Sequence, residues 1–193
     1  MLIRKLFKFE NAHIVRNCST LRCSENIHGH SYKVEVLLES NYLDHGHMVY
    51  DFSLMKLQIK ELIDAFDHGV TLWSEDDPAY IEAMKAHSKR WIVLPVSPSA
   101  EQFARVFFLM VERVLDCTEM QNGERDVHVH SIIAHETETG YAQAFKEDAH
   151  SELMGKIFLD KILFSPQVKS EWKDPELWDK LLSRCLIKNP EKV

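Results

Sequence analysis

The chain has no apolar run approaching the ~18 residues that a membrane-spanning helix needs, and its first residues hold no signal-peptide core. It has no excess of positive charge. Lysines and arginines number 23 against 30 aspartates and glutamates, a formal net charge of −7 that gives no hint of general nucleic-acid affinity. Its four cysteines (Cys18, Cys23, Cys117, Cys185) are irregularly spaced and form no CxxC pair. That argues against a disulfide framework and for a reducing, cytoplasmic setting. Internal repeats and low-complexity tracts are missing as well. What remains is an ordinary globular composition, 45% apolar, with 193 residues giving ample length for one core.

The most informative residues present are His28-Gly29-His30. They open a run of polar/apolar alternation in which the even positions from His28 to Leu38 share one face of a strand. Two imidazoles on that face stand about 6.6 Å apart along the strand and can lean onto one metal ion. Gly29 puts no side chain on the opposite face, so another backbone can approach there. Catalytic zinc sites usually take three protein ligands and leave a position open. His13 is the best third ligand: it ends a first strand-like run in which Phe7, Phe9, Asn11 and His13 share a face. If the two runs pair as a hairpin, His13 lies beside His28, with the thiol of Cys23 nearby.

The periodicity predicts strands over 2–13 and 28–40 and a helix from about 53, with Met55, Ile59, Leu62, Ile63 and Phe66 at helical spacing. Residues 73–97 show little period and read as an insertion. Ser99, with Gln102 three residues on, predicts the N-cap of a second helix striped by Phe103, Phe107, Met110, Val111 and Val114. Strands follow over 126–136 and 140–146, separated by Thr139-Gly140. Beyond them lie apolar segments near 153–164 and 172–186, both expected to be helical. The pattern is ββααββ, an α+β fold with an antiparallel sheet and helices on one face.

Two further clusters bear chemistry. Asp67-His68, at the end of the first helix, is either a helix-end turn with a dipole-favoured cation or a proton relay in which Asp67 fixes the tautomer of His68. Glu136 is either an exposed strand end or a buried carboxylate. In the second case it would take hydrogen bonds from an amidine-like ring edge, as pterins and guanines present. Strict alternation puts His128, His130 and Glu136 on one face. His128-Val129-His130 is then a rival metal pair, ranked below His28/His30 for want of a nearby thiol and glycine. His45 and His47 flank a turn at Gly46 and read as solvated.

Phe9-Glu10-Asn11-Ala12-His13, Cys23 ahead of His28-Gly29-His30-Ser31-Tyr32, Asp51-Phe52, Asp67-His68, Pro98-Ser99-Ala100-Glu101 and Glu136-Thr137 follow one another in a known order. In this the chain resembles the 6-pyruvoyltetrahydropterin synthase / 6-carboxytetrahydropterin synthase family over residues 1–145, with an insertion at 73–97 and a C-terminal helical extension over 146–193. The resemblance implies the tunnelling (T-fold) architecture, with trimeric barrels stacked into homohexamers and active sites at subunit interfaces. It implies zinc held by His13, His28 and His30, Cys23 as catalytic thiol, Asp67 and His68 as relay, and Glu136 as the acid that anchors the pterin and joins the relay. The implied substrate is 7,8-dihydroneopterin triphosphate.

The loop departs from the family pattern, since four residues separate Cys23 from the His-Gly-His triplet, where relatives have three or five. Cys18 or Glu25 therefore stand as alternatives for the base. Lys8, Arg16 and Arg22 are the charge-based candidates for the triphosphate. The expected activity is a zinc-dependent carbon–carbon lyase forming 6-carboxytetrahydropterin from that substrate, with loss of acetaldehyde and triphosphate, on the way to queuosine. The alternatives are a 6-pyruvoyltetrahydropterin synthase, a zinc-hydroxide hydrolase and a non-catalytic pterin-binding oligomer.

Overall fold

Alternation decides the first two strands. In the computed structural model, which describes residues 1–192, β1 (Leu2–His13) and β2 (His28–Glu39) pair antiparallel along their whole length, from Leu2 opposite Glu39 to His13 opposite His28. The short helix α1 (Leu21–Glu25) sits in the loop between them. Phe7, Phe9, Tyr32, Val34, Val36 and Leu38 share the buried face, with the Phe9 and Tyr32 rings stacked 5.1 Å apart.

A 3-10 turn leads into α2 (Gln58–Asp64), whose Ile59, Leu62 and Ile63 are buried. The stretch read as an insertion is regular. It holds the end of β3 (Gly69–Trp73), helix α3 (Pro78–His87, capped by Asp77) and β4 (Trp91–Leu94), with β3 and β4 parallel. Its strands lack alternation because both faces are covered. Ile92 and Leu94 enter the main core, while Val70, Leu72 and Val93 pack under α3 residues such as Tyr80 and Ile81.

Helix α4 (Ala100–Asp116) begins as expected, with the Ser99 hydroxyl accepting the Gln102 N–H, and its predicted stripe is fully buried. After β5 (Thr118–Glu119) come β6 (His128–His135) and β7 (Tyr141–Ala144). The tail adds α5 (Lys146–Ala149), β8 (Leu163–Phe164), α6 (Pro166–Glu171), α7 (Leu177–Leu182) and β9 (Ile187–Lys188). α7 falls in the segment expected to be helical near 172–186. The segment near 153–164 is instead irregular, ending in a 3-10 turn and β8, which pairs with β4. Gly155, at φ +85°, breaks any helix there.

The main sheet runs β7-β6-β2-β1-β3-β4-β8, and β5 pairs separately with β9. Its β7-β6-β2-β1 half is antiparallel, with α4 packed across β6 and β7 on one face, while α3 covers the other face of the parallel β3-β4 pair. The fold is therefore α+β, with helices on one face of the antiparallel half only. Trp172, Leu177, Trp178 and Leu181 of the tail join the same hydrophobic cluster as α4. Among the described residues no helix is long and apolar enough to cross a membrane.

Candidate active site

The stripe that fills the core continues to the end of the hairpin and changes chemistry there. Beyond Phe7 and Phe9 on β1, the inward positions are Asn11 and His13; beyond Tyr32 on β2 they are His30 and His28. One ring nitrogen or more from each of His13, His28 and His30 falls within 4.8 Å of the others, so the predicted ligand set assembles. Gly29 permits this: a Cβ there would press to 3.2 Å on the Asn11 carbonyl.

The hydrogen bonds set the tautomers. His13 donates Nδ1–H to the Pro98 carbonyl at 2.6 Å, and His28 donates Nδ1–H to the Asn26 carbonyl at 3.0 Å. Each therefore keeps its Nε2 lone pair free, the arrangement that metal-ligating histidines show. His13 is completely buried, stacked on Phe103 at 6.2 Å, and its Nε2 has no hydrogen-bond partner. Burial pulls its pKa down to about 4, against a partial offset from the Pro98 bond, so the ring is neutral at pH 7. A buried acceptor left unpaired costs roughly 1–3 kcal/mol, and a cation at this point removes that cost. The donor set thus fits zinc.

Glu136 lies beside the triad. Its Oε1 stands 3.7 Å from His13 Nε2 and 3.9 Å from His30 Nε2, and it accepts the Tyr32 hydroxyl at 3.0 Å. Burial, then the carboxylate itself, holds the Tyr32 phenol protonated well above its ordinary range, so it can only donate here. Nothing in the residue pattern singled out Tyr32 for this, because a tyrosine on a core stripe reads as packing. A cleft of about 360 Å³ opens next to these groups. Cys18, Cys23, His28, Glu101 and Glu136 line it, while Glu25 does not.

Asp67 and His68 do touch. Asp67 accepts the Glu10 N–H at 2.8 Å through one oxygen and His68 Nδ1–H at 2.8 Å through the other. Although burial works the other way, these two donors hold the Asp67 carboxyl below the usual range. His68 sits at φ +51°, and its own N–H binds the Glu10 carbonyl, which turns the ring outward. With Glu10, Ala12, Gly29 and Ser31, it borders a shallow depression on the sheet face opposite the buried stripe. Within one chain the pair does not line the cleft that holds Cys23.

Three expectations need correction. His128, His130 and Glu136 do not share a face, because a β-bulge in β6 opposite Leu37/Leu38 reverses the alternation. Val129, Ile132 and Ala134 all point into the core, while His128 is exposed and His130 bonds Ser131 Oγ at 3.0 Å. The rival metal pair therefore does not form. Arg16 is committed elsewhere, to Asp76 at 2.8 Å and to the Tyr80 ring, so it is a poor triphosphate ligand. The segment near 153–164 is not helical.

Comparison with known proteins fits this architecture. A family model described as 6-pyruvoyl tetrahydropterin synthase matches residues 2–147. A Helicobacter pylori protein named 6-carboxy-5,6,7,8-tetrahydropterin synthase is 36% identical over 184 residues, covering 95% of this chain and 92% of the relative. Two solved structures share the fold: an uncharacterized Wolinella succinogenes protein (TM-score 0.55, 22% identity, 76% of this chain and 98% of that one) and the Caenorhabditis elegans 6-pyruvoyl tetrahydropterin synthase (TM-score 0.52, 19% identity, 75% and 94%). The chain belongs to the 6-pyruvoyl tetrahydropterin synthase family of enzymes.

Proposed function

We propose that the chain is a zinc-dependent lyase that converts 7,8-dihydroneopterin triphosphate to 6-carboxy-5,6,7,8-tetrahydropterin with loss of acetaldehyde and triphosphate, a cytoplasmic step towards queuosine. The observation that carries this reading is the buried, partnerless Nε2 of His13 beside two further imidazoles, at a cleft lined by a thiol and a carboxylate. The name of the Helicobacter pylori relative supports the carboxy product.

His13, His28 and His30 would hold the ion, which supplies Lewis-acid polarisation of substrate oxygens when bound. Glu136, oriented by the Tyr32 hydroxyl, accepts the paired N–H groups of the pterin ring and fixes it in the cleft. Cys23, as thiolate, removes a proton from a side-chain carbon of the bound substrate. Cys18 lines the same cleft, but its Sγ is turned to the Thr20 carbonyl at 3.3 Å, which favours Cys23 as the base. His68, held by Asp67, returns a proton on the other side of the reacting chain.

Because the relay pair sits on the opposite sheet face, it would serve a site of a neighbouring subunit. Two open sheet edges allow this. β7 has no outer neighbour, and β1 has none along Leu2–Phe9 among the described residues. Adding β7 of one copy to β1 of the next closes a ring, and two rings would make the hexamer.

The test is to incubate zinc-loaded protein with dihydroneopterin triphosphate and identify the products by mass. Acetaldehyde with a 6-carboxy pterin is the expected outcome. A pyruvoyl pterin without acetaldehyde, simple hydrolysis, or binding without turnover would each overturn the reading.

A further inference from the structure

Two features on the helix side of the sheet complement each other, and they lie at opposite ends of its antiparallel half. The first is a projecting apolar tip. After α5 the chain turns at Gly155, leaving Leu153 fully exposed and Met154 half exposed. The tip is held firmly. Arg105, buried on α4, donates to the carbonyls of Asp148 at 2.8 Å, Ser151 at 3.1 Å, Met154 at 2.8 Å and Gly155 at 2.6 Å. A guanidinium with this many donors committed to one loop fixes its conformation. Such an arrangement keeps a leucine in water at a standing cost, which burial against a partner would remove.

The second feature is a groove of about 800 Å³ between β1 and helices α2 and α6. Phe7, Ala65, Val168 and Trp172 give it an apolar floor. Lys5, Lys8 and Lys56 stand around it, and among the described residues none of them makes an ion pair. The lining carboxylates of Asp64, Glu171 and Asp67 are already paired with Lys60, Arg90 and His68, and Glu61 accepts the Lys173 N–H. On the tip, Glu147 and Glu152 likewise have no ion-pair partner, so the charges match. The groove runs beside the open edge of β1, and the tip follows directly on β7, the other open edge. Strand register puts Ala144, Ile132, Val36 and Lys5 on one line across the sheet, so the end of β7 and the groove lie at one height.

We propose that Leu153 and Met154 of one copy seat in this groove on the adjacent copy, with Glu147 and Glu152 facing Lys5, Lys8 and Lys56. The inference rests on the ring assembly described above and adds to it a contact whose tip, Val168 and Trp172 all lie beyond residue 147, where the family match ends. Two side chains bury too little area to hold proteins together alone, so the tip acts as a lock on the strand-to-strand contact.

Sedimentation velocity of the full-length protein and of Leu153→Asp/Met154→Asp tests the lock. The double variant should associate at least tenfold more weakly, with an unchanged circular dichroism spectrum because both side chains are exposed in the single chain. Leu153→Cys combined in turn with Lys56→Cys and with Lys8→Cys should give an oxidised ladder of linked copies that neither single variant gives. An assembled double-aspartate variant with wild-type affinity, or an assembled protein without a ladder from either cysteine pair, overturns the lock and leaves the ring standing. A monomeric wild-type protein overturns both.

Discussion

His13 is where folding and chemistry meet. Its ring belongs to the core, yet one nitrogen is left without a partner. The ring titrates at about 4 in the fold and at 6.5 unfolded, so between those values the unfolded chain binds the extra proton. Stability from this group is complete above pH 6.5 and is lost as pH falls to 4, a total of about 3 kcal/mol in metal-free protein. Urea midpoints of wild type and His13→Gln, compared at pH 7 and pH 4.5, should show the extra acid loss in the wild type alone. A second prediction concerns the thiol. Cys23→Ala should lower kcat by roughly 10²–10⁴, the usual weight of a positioned general base, while zinc content by metal analysis stays at wild-type level. Activity surviving that change would favour the hydrolase.

At the scale of elements, legibility followed exposure. β1 and β2 were readable because one face meets the core and the other water, which imprints alternation; the Ser99 cap and the α4 stripe were readable for similar reasons. β3 and β4 were not, since strands covered on both faces have no polar phase to betray them. The bulge in β6 was invisible because it adds one residue without a distinctive side chain, and it misplaced His128 and His130. The triad was legible as spacing, but the fixing of its tautomers by Pro98 and Asn26 carbonyls was not, because backbone partners leave no trace in composition.

Asn11 ties these elements together. It donates to the carbonyls of Phe66 at 2.8 Å and Gly69 at 3.0 Å and accepts from Thr71 at 2.9 Å, spanning both sides of Asp67-His68. Asn11→Ala removes three buried hydrogen bonds. It should cost about 2–4 kcal/mol by urea unfolding and lower turnover through a displaced His68, without lowering zinc content.

At the scale of the whole molecule, the separation of Asp67 and His68 from Cys23 across the sheet has a direct test. Cys23→Ala and His68→Ala should each be nearly inactive alone. Unfolded together and refolded as a mixture, they should recover roughly a quarter of wild-type activity, the chance that a site draws its thiol from one parent and its imidazole from the other. Refolded mixtures as silent as their parents would place both groups in one chain's site.

The partnerless nitrogen also matters for anyone handling the protein. Zinc bound there as proposed would link occupancy to melting, so a partly stripped batch would contain two populations and unfold in two steps. The relative heights of those steps then gauge how much of the sample is fit for turnover.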